Sequence, residues 1–590
     1  MNSKTKIALT IIVALSGSIS GCSSKSNTVP TPEIIQQISS SSESALFDET
    51  NPLMTISHFQ QASVALASTT DTNTLDELLY YFRAFSYYGP IDDLELSDYA
   101  SLSVALESLA DSGVLNGTAR LQEQYAVTVY RYFANNERAA QLAPLLSQLN
   151  SQLALLAAST SQQTNDYALL ETLKAYGFLF NVSRKKVEGE LNTVLLSANL
   201  NQPLLAFAAN KSSIRAEQDW PRTNAYWALA LYRLALPGSE DGEATPLELA
   251  VDKAVADIAR QDVAERGDIA KDAYSRGYHV NTFSAQERCQ ENSDICRIPE
   301  LTEGLPIEHH CSESLFILAQ DLNEQELVES CTKLTSQESH FHNVLETQQQ
   351  ATANDNNEAL RVVAFKNWSQ YNYYGQLVFD IQTDNGGMYI EGTPSKPGNQ
   401  ATFFAYRQWW IEPEFAIWNL NHEYVHYLDG HFVKYGGFGH FPSKMVWWSE
   451  GLAEYIAQGD TNPTALKIIK RDIDKAPTLE EIFATEYKDG VDMTYKWSYM
   501  AVRFLAEHYH SDYVKLSQFL KTDYFEGYEL LLADLTQHQQ QFSEWLTSQV
   551  VLFDDSEEQS KPRLHKQNRY AYRDYLQPQH LTQDSTHLHF

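Results

Sequence analysis

Basic residues are scarce in this chain, where 43 Lys and Arg stand against 76 Asp and Glu and give a net charge of −33 over 590 residues. An acidic surface repels phosphate, and no basic stripe is visible along the sequence, so nucleic acid is excluded as a partner. The same charge favours divalent cations, and it suits the solubility of an exported protein.

An apolar run long enough for a lasting membrane span is missing from the N-terminus, because the stretch Ile7 to Leu15 is too short. Two lysines precede this run and Cys22 follows it closely. The pattern predicts a lipoprotein signal peptide over residues 1–21 and a lipid on Cys22, with an ordinary secretory signal as the alternative. Since Ser23 is not the aspartate that commonly retains lipoproteins in the inner membrane, we expect an exported protein anchored at the outer membrane or cell surface, or released from it.

Cysteine is rare, and the four cysteines beyond Cys22 fall within one short region: Cys289, Cys296, Cys311 and Cys331. In an exported protein they predict two disulfides. Nearest-neighbour pairing, Cys289 with Cys296 and Cys311 with Cys331, is preferred among three connectivities. A second zinc site that includes His309 and His310 is the alternative, although the spacing matches no zinc-ribbon or finger pattern.

The segment His422-Glu423-Tyr424-Val425-His426 places two imidazoles four residues apart. On a helix they point the same way and can bind one metal ion, which predicts a zinc site. Pro413 and Glu414 suit the first turn of this helix and Gly430 suits its end. Apolar positions at Phe415, Ile417, Leu420 and Val425 support the helix.

A second predicted helix, Met445 to Ile456, offers Glu450 as the third ligand. Catalytic zinc takes three protein ligands and keeps one position open for water. Glu454 lies one turn beyond Glu450, where its carboxylate can accept a hydrogen bond from a ligating histidine. Glu423 is too close along the chain to ligate beside both histidines, and we assign it as the general base for the water. The oxyanion donor is predicted among later tyrosines, Tyr495 first and Tyr499 second.

The chain is long enough for several domains. Residues 22–43 are rich in Ser, Thr and Pro and predict a tether. Residues 44–335 have a mostly helical pattern, which suggests a stack of helix pairs without a strict repeat. The clearest predicted helices are Leu75 to Tyr88, Tyr125 to Leu149, Ala168 to Phe178 and Arg222 to Leu236.

Residues 336–555 predict an α+β domain with a small sheet followed by helices, and residues 556–590 predict a polar tail. The predicted strands are Leu360 to Phe365, Gln376 to Ile381, Gly387 to Glu391 and Thr402 to Tyr406. The helices after the metal motif are predicted at Trp497 to Tyr509, Tyr513 to Leu520 and Glu526 to Phe553.

Five segments of the chain resemble the bacterial collagenases, gluzincin metallopeptidases of the Vibrio and Clostridium type (peptidase family M9). They are HEYVHYLDG at 422–430, WWSEGLAEY at 447–455, DNGGMYIEG at 384–392, ATFFAY at 401–406 and YYFRAFSYY at 80–88. The resemblance implies a predominantly helical α+β protein, with a helical-repeat-like activator domain before a thermolysin-like catalytic domain that has a small mixed sheet. The auxiliary collagen-binding modules of many relatives are expected to be absent.

The resemblance also implies roles for single residues. His422, His426 and Glu450 match zinc ligands and Glu423 the catalytic glutamate. Gly386 and Gly387 match a double glycine beside a substrate-binding edge strand, and Glu391 matches a position that helps to hold a structural Ca²⁺ in some relatives. Many gluzincins have Tyr-x-x-Gly around the transition-state tyrosine, whereas here Ser498 follows Tyr495. His431 stands where relatives often carry arginine.

Together these patterns predict a zinc endopeptidase that cuts collagen, gelatin or other extended Gly/Pro-rich polypeptides. The alternative hypothesis is a surface lipoprotein that binds host or matrix protein without cleavage. The complete set of His422, Glu423, His426 and Glu450 argues against that alternative, since a binding module needs no base beside an open metal position.

Overall fold

The computed structural model describes residues 32–41, 43–46, 51–214, 219–238, 242–278, 285–383, 387–408 and 415–553. The predicted signal peptide, Cys22, half of the tether, Gly386, Pro413, Glu414 and the polar tail lie outside the described residues. Among the described residues, no helix has both the length and the apolar character that a membrane crossing requires.

The N-terminal half of the described chain is helical. Its α-helices are α1 Glu33–Ser40, α2 Glu43–Leu46, α3 Ile56–Ser68, α4 Thr72–Tyr88, α5 Leu96–Asp111, α6 Ala119–Phe133, α7 Ala139–Leu142, α8 Leu146–Ala158, α9 Gln163–Ser183, α10 Glu190–Ser197, α11 Asn201–Ala209, α12 Trp220–Leu234, α13 Pro246–Arg266, α14 Lys271–Gly277, α15 Ala285–Glu291 and α16 Leu301–Gly304. Helices α4, α6, α9, α12 and α14 pack in a row, each against the next. Buried aromatic rings fill this row, for example Tyr130 against Phe178 and Phe178 against Trp227.

Two predictions for this half are wrong in part. The helix predicted from Tyr125 to Leu149 is interrupted between α6 and α8, because Asn135 accepts a hydrogen bond from the Glu137 amide and Pro144 cannot donate one. The end of the predicted tether forms α1, which buries Ile34, Ile35 and Ile38 and packs against α3 and α4. These isoleucines lie on one face of a helix. The Ser-, Thr- and Pro-rich composition of the segment predicted a tether instead.

One mixed sheet of five strands follows, with the strands β1 Ile307–Ser312, β2 Leu315–Ala319, β3 Leu360–Phe365, β4 Met388–Ile390 and β5 Thr402–Tyr406. Their order is β1-β2-β3-β5-β4, with β2, β3 and β5 parallel and the edge strands β1 and β4 antiparallel to their neighbours. Strands β3 and β5 have the predicted bounds. The sheet begins before the predicted domain border at residue 335, which falls inside a helix.

The helices of the C-terminal half are α17 Glu324–Leu345, α18 Trp368–Phe379, α19 Leu420–Phe432, α20 Val446–Gln458, α21 Pro463–Asp472, α22 Leu479–Phe483, α23 Ser498–His508, α24 His510–Lys521, α25 Phe525–Leu535 and α26 Gln539–Leu552. The strand predicted at Gln376 to Ile381 is wrong, since this segment largely belongs to α18. Asn367 caps that helix by accepting a hydrogen bond from the Gln370 amide. The predicted helix at Glu526 to Phe553 is interrupted by a 3₁₀ turn at Thr536–His538.

The sheet separates two hydrophobic cores because alternate residues of a strand face opposite sides. Val363, Phe365, Phe404 and Tyr406 join the core of the N-terminal helices. Val362, Ala364, Phe403 and Ala405 join the core that contains α19 and α20. Helix α19 contacts β4 and β5 of the sheet, and α20 packs against α19.

Both disulfides join nearest neighbours along the chain. Cys289 pairs with Cys296, and Cys311 pairs with Cys331 and so joins β1 to α17, with Cα atoms 5.2 Å apart in each bridge. The sulfurs are thus engaged with each other, which rules out the alternative zinc site. His310 instead stacks on Phe316.

Candidate active site

Two helices, α19 and α20, carry the predicted metal ligands and pack against each other. Helix α19 begins at Leu420, later than predicted, since Ile417 forms a bridge with Arg407. It also continues past the predicted stop at Gly430 to Phe432. In α20 the two tryptophans Trp447 and Trp448 are fully buried and fix the orientation of the helix.

His422, His426 and Glu450 lie together where these helices meet. Glu450 Oε2 is 3.1 Å from His422 Nε2 and 3.5 Å from His426 Nε2. Among the described residues, this is the group of at least three His, Cys, Asp or Glu side chains whose ligand atoms all lie within 4.8 Å of one another. Two imidazole nitrogens and one carboxylate are a donor set that suits zinc.

Glu454 supports the first histidine. Its Oε1 lies 3.3 Å from His422 Nδ1, while its Oε2 accepts hydrogen bonds from Asn462 at 2.8 Å and Lys496 at 3.2 Å. An anchored carboxylate on Nδ1 directs the opposite nitrogen, Nε2, toward Glu450. Glu454 therefore lies beside His422 Nδ1, and its supporting role stays a prediction.

The electrostatics of the cluster indicate a shortage of positive charge. Burial alone would lower the pKa of His422, yet hydrogen bonds to Glu450 and Glu454 and the nearby Glu423 raise it to about 10. Burial alone would raise the pKa of Glu450, yet the imidazoles of His426 and His422 hold it well below its usual range. The carboxylates therefore stabilise added positive charge on the imidazoles, and a divalent cation between them would supply it.

Glu423 lies on the same helix, between the two histidines, and is half-buried. Its Oε1 accepts a hydrogen bond of 2.9 Å from the side chain of Asn419, one turn earlier. This bond orients the carboxylate at the rim of the cluster, where the proposed water would lie.

Three tyrosines differ in their relation to the site. The ring of Tyr495 lies 5.9 Å from the ring of His422 and lines the same cavity. Tyr499 is fully buried, and its hydroxyl donates to the Gly459 carbonyl at 2.9 Å. Tyr487, which the sequence did not single out, donates its hydroxyl to Glu450 Oε1 at 2.7 Å.

Tyr495 belongs to a π-helical turn, Asp492–Trp497, which leads into α23. Such turns occur frequently at functional sites. Ser498, three residues after Tyr495, donates its hydroxyl to the Met493 carbonyl. The close approach of α20 to α23 is permitted by Gly451, where a Cβ would lie 2.6 Å from the backbone carbonyl oxygen of Ser498.

One cavity of about 280 Å³ connects the metal cluster with the edge of the sheet. Its wall includes the edge-strand segment with Gly387, Met388 and Tyr389. Gly387 has φ +136°, and a Cβ there would lie 2.8 Å from the Phe404 carbonyl, so the position requires glycine. The cavity residues are Gly387, Met388, Tyr389, Glu391, His422, Glu423, His426, Lys434, Phe438, Ser449, Glu450, Tyr487 and Tyr495.

Sequence reasoning missed four residues that contact the predicted ones: Asn419, Asn462, Tyr487 and Lys496. Asn419 precedes Glu423 by four residues, a spacing that signals contact on a helix. The other three come from loops and turns that follow α20, and no spacing rule connects them with the motif.

The comparisons with known proteins agree with this geometry. The family model Peptidase_M9 (Collagenase) matches residues 270–545, which contain the whole sheet and every cavity residue. A microbial collagenase of Vibrio alginolyticus is 40% identical over 283 residues, which are 46% of this chain and 34% of that protein. A microbial collagenase of Vibrio vulnificus is 36% identical over 245 residues, 41% of this chain and 30% of that protein.

A more distant relative, the collagenase ColT of Clostridium tetani, is 27% identical over 212 residues, 33% of this chain and 20% of that protein. The matched part therefore spans about a third of the Vibrio relatives or less. Over residues 270–545, just under half of its length, the chain is therefore similar to the M9 family of bacterial collagenases.

Proposed function

We propose that this protein is a zinc-dependent endopeptidase that hydrolyses collagen, gelatin or other extended Gly/Pro-rich polypeptides. The observation that carries the proposal is the single cavity shared by the His422, His426 and Glu450 cluster, by Glu423 and by the edge strand. A metal, a base and a docking edge for an extended chain are the three parts that peptide hydrolysis by this chemistry needs.

The residues present fit zinc. His422, His426 and Glu450 would hold the ion by two nitrogens and one oxygen, and they leave the cavity side for water and substrate. When bound, zinc lowers the pKa of a water to about 7 and polarises a carbonyl. Glu454 would keep His422 in the tautomer that presents Nε2 to the ion.

Glu423 is the proposed general base, held by Asn419 so that its carboxylate receives the proton from water and passes it to the leaving amine. Tyr495 is the proposed donor to the oxyanion, since it lines the cavity. Burial and the carboxylates of Glu450 and Glu423 raise its pKa, so its hydroxyl stays protonated and able to donate. The engaged hydroxyl of Tyr499 argues against the second choice.

The edge strand β4 is the proposed docking strand. Among the described strands it pairs with β5, and its segment lines the cavity, so its other edge would pair with an extended substrate. Gly387 would let the substrate backbone approach closely, and we assign Gly386 the same role.

The domain roles are part of the same proposal. Residues from about 300 onward would form a gluzincin-type catalytic domain, and the helical row from α3 to α14 would act as the activator domain. The support is that the N-terminal core continues onto one face of the sheet while α19 and α20 occupy the other face. Export and a lipid anchor at Cys22 remain predictions.

The test compares the wild type with Glu423→Gln and with Glu480→Gln, an exposed carboxylate on α22. Each zinc-loaded protein is incubated with gelatin, with intact triple-helical collagen and with a Gly-Pro-rich peptide. We expect cleavage by the wild type and E480Q, and a loss of about 10³-fold in E423Q with zinc retained. Equal cleavage by E423Q, or binding of gelatin without cleavage by the wild type, would contradict the proposal.

A further inference from the structure

Lys434, whose side chain is 14% exposed, lies in the loop after α19. Its Nζ is 3.1 Å from Asp429 Oδ2 and donates to Ser449 Oγ at 3.1 Å. Asp429 lies on α19 three residues beyond His426, and Ser449 precedes Glu450 on α20. The Asp429 carboxylate is 1% exposed, and its other oxygen accepts a hydrogen bond from the Trp448 indole at 3.0 Å. One ammonium group thus joins the two helices that carry the metal ligands.

Glu391, at the end of the edge-strand segment, belongs to the same charge cluster. One of its oxygens accepts a hydrogen bond from the Phe438 amide. The other lies against Gly430 of α19, where a Cβ would come within 2.1 Å of it. Burial raises the pKa of Glu391, whereas the positive charge of Lys434 opposes that rise. Lys434 and Glu391 line the same cavity, and Phe438, which donates to Glu391, lies in the loop that contains Lys434.

Calcium at Glu391, which the resemblance implied, does not fit these donors. Ca²⁺ takes six to eight oxygen ligands. The negative charges of Asp429 and Asp355 add to the rise in the pKa of Glu391. Asp429 is engaged with Lys434 and Trp448, and Asp355 with the imidazole of His431. The Glu391 carboxylate thus accepts from the Phe438 amide, and the carboxylates of Asp429 and Asp355 have partners of their own. None of the three is free to bind a metal cation.

We propose that Lys434 is a built-in cation that holds α19, α20 and the edge strand in register, so that this protein needs no calcium at Glu391. Lys434 is then a positioning residue for the metal centre, acting through Asp429 and Ser449. The part of this inference that concerns zinc rests on the proposed zinc site, whereas the part that concerns calcium does not.

The calcium part is tested on the wild type. Its thermal unfolding midpoint is measured in metal-stripped buffer with a slight excess of ZnCl₂, and then with excess CaCl₂ or, for matched ionic strength, MgCl₂. We expect CaCl₂ to change the midpoint by less than about 1 °C relative to MgCl₂, because a ligand that does not bind the native state does not stabilise it. A rise of several degrees with CaCl₂ alone would overturn the inference.

The positioning part is tested with Lys434→Met, which keeps the length of the side chain and removes its charge. The matched control is Lys444→Met, in which the lost ion pair with Glu529 is exposed. We expect K434M to unfold about 10 °C below the wild type, since Asp429 is left buried without its cation, and K444M to unfold within about 2 °C of it.

Zinc content after dialysis against a competing chelator is the second readout. We expect K434M to lose zinc at least about 10-fold faster than K444M, because supports of metal ligands typically contribute that much affinity. Equal stability or equal zinc retention in the two variants would contradict a positioning role. If K434M does not fold, the calcium titration of the wild type decides. If the wild type binds no zinc, the proposed function is contradicted. The calcium titration and the unfolding midpoints of the variants still test the role of Lys434.

Discussion

The helical N-terminal region and the metal-bearing helices each contain a cluster of buried charged side chains. In the first, Arg83 lies 3.1 Å from Glu123 and 3.7 Å from Glu171, and Lys174 lies 3.2 Å from Glu171. Two cations thus balance two carboxylates among α4, α6 and α9. Tyr130 donates a further hydrogen bond to Glu171. Each of these contacts neutralises a buried charge or supplies a hydrogen bond to it.

The second cluster has a different balance. Its three carboxylates, Glu423, Glu450 and Glu454, face one ammonium group, Lys496, and two imidazoles that are neutral unless protonated. It also lines a cavity. The comparison teaches that burial of charge alone does not indicate function. An excess of negative charge beside a cavity, with nitrogen donors at ligand spacing, is what indicates a cation site.

The largest contrast is expected from one substitution in each cluster. Glu450→Gln removes an anionic ligand, and we expect zinc affinity to fall more than about 100-fold and peptide cleavage to fall with it. Glu171→Gln leaves Arg83 and Lys174 short of a counter-ion, and we expect a loss of about 3 kcal/mol of stability with zinc affinity unchanged. Zinc competition and thermal unfolding of both variants provide the measurement. Loss of zinc affinity in E171Q would break the distinction between the clusters.

Tyr495, in the π-helical turn, and Tyr499, in α23, extend the comparison to catalysis. Tyr495→Phe removes the proposed oxyanion donor, and we expect kcat to fall about 100-fold while KM changes little. Tyr499→Phe removes only a bond to the Gly459 carbonyl, so it should cost about 1 kcal/mol of stability and leave kcat intact. Steady-state kinetics on one peptide substrate distinguishes the two residues, and the reverse pattern would assign the donor role to Tyr499.

A smaller effect is expected at Glu454. Glu454→Gln weakens the acceptor at His422 Nδ1 and removes the partner charge of Lys496, so zinc affinity should fall about 10-fold. The exposed substitution E480Q should leave zinc affinity unchanged. Competition with a chromophoric chelator measures both. Unchanged affinity in E454Q would show that His422 needs no support from this carboxylate.

The smallest effect concerns Tyr487, whose side chain is 54% exposed although its hydroxyl reaches Glu450. We expect Tyr487→Phe to lower zinc affinity about 3-fold, since one hydrogen bond at a solvent-accessible position contributes little. The same chelator competition resolves this difference. A change as large as that in E450Q would mean that Tyr487 itself controls the metal centre.

The parts of the site that were predictable follow from helical spacing. His422 and His426 share a face because they are one turn apart, and Glu454 follows Glu450 by the same step. Strands β3 and β5 were also predictable, since their β-branched and aromatic runs are bounded by turn residues. These features depend on local periodicity, which a sequence displays directly.

The missed parts depend on contacts that no local pattern encodes. Tyr487 donates to Glu450, which is 37 residues away along the chain. The Asp429–Lys434 pair connects two helices only because Lys434 also donates to Ser449 on α20. Residues 376–379 were predicted as strand, but the capped α18 overrides that preference. Calcium at Glu391 stays an untested prediction, and Lys434, whose charge acts on Glu391, lies outside every motif.

The most direct test of the central claim is anomalous diffraction at the zinc edge from crystals soaked in zinc. The account predicts one strong peak per chain, about 2.0–2.2 Å from His422 Nε2, His426 Nε2 and a Glu450 oxygen. It predicts no such peak in the Arg83 cluster. A strong peak elsewhere with none between these three side chains, or no peak at all, would contradict it.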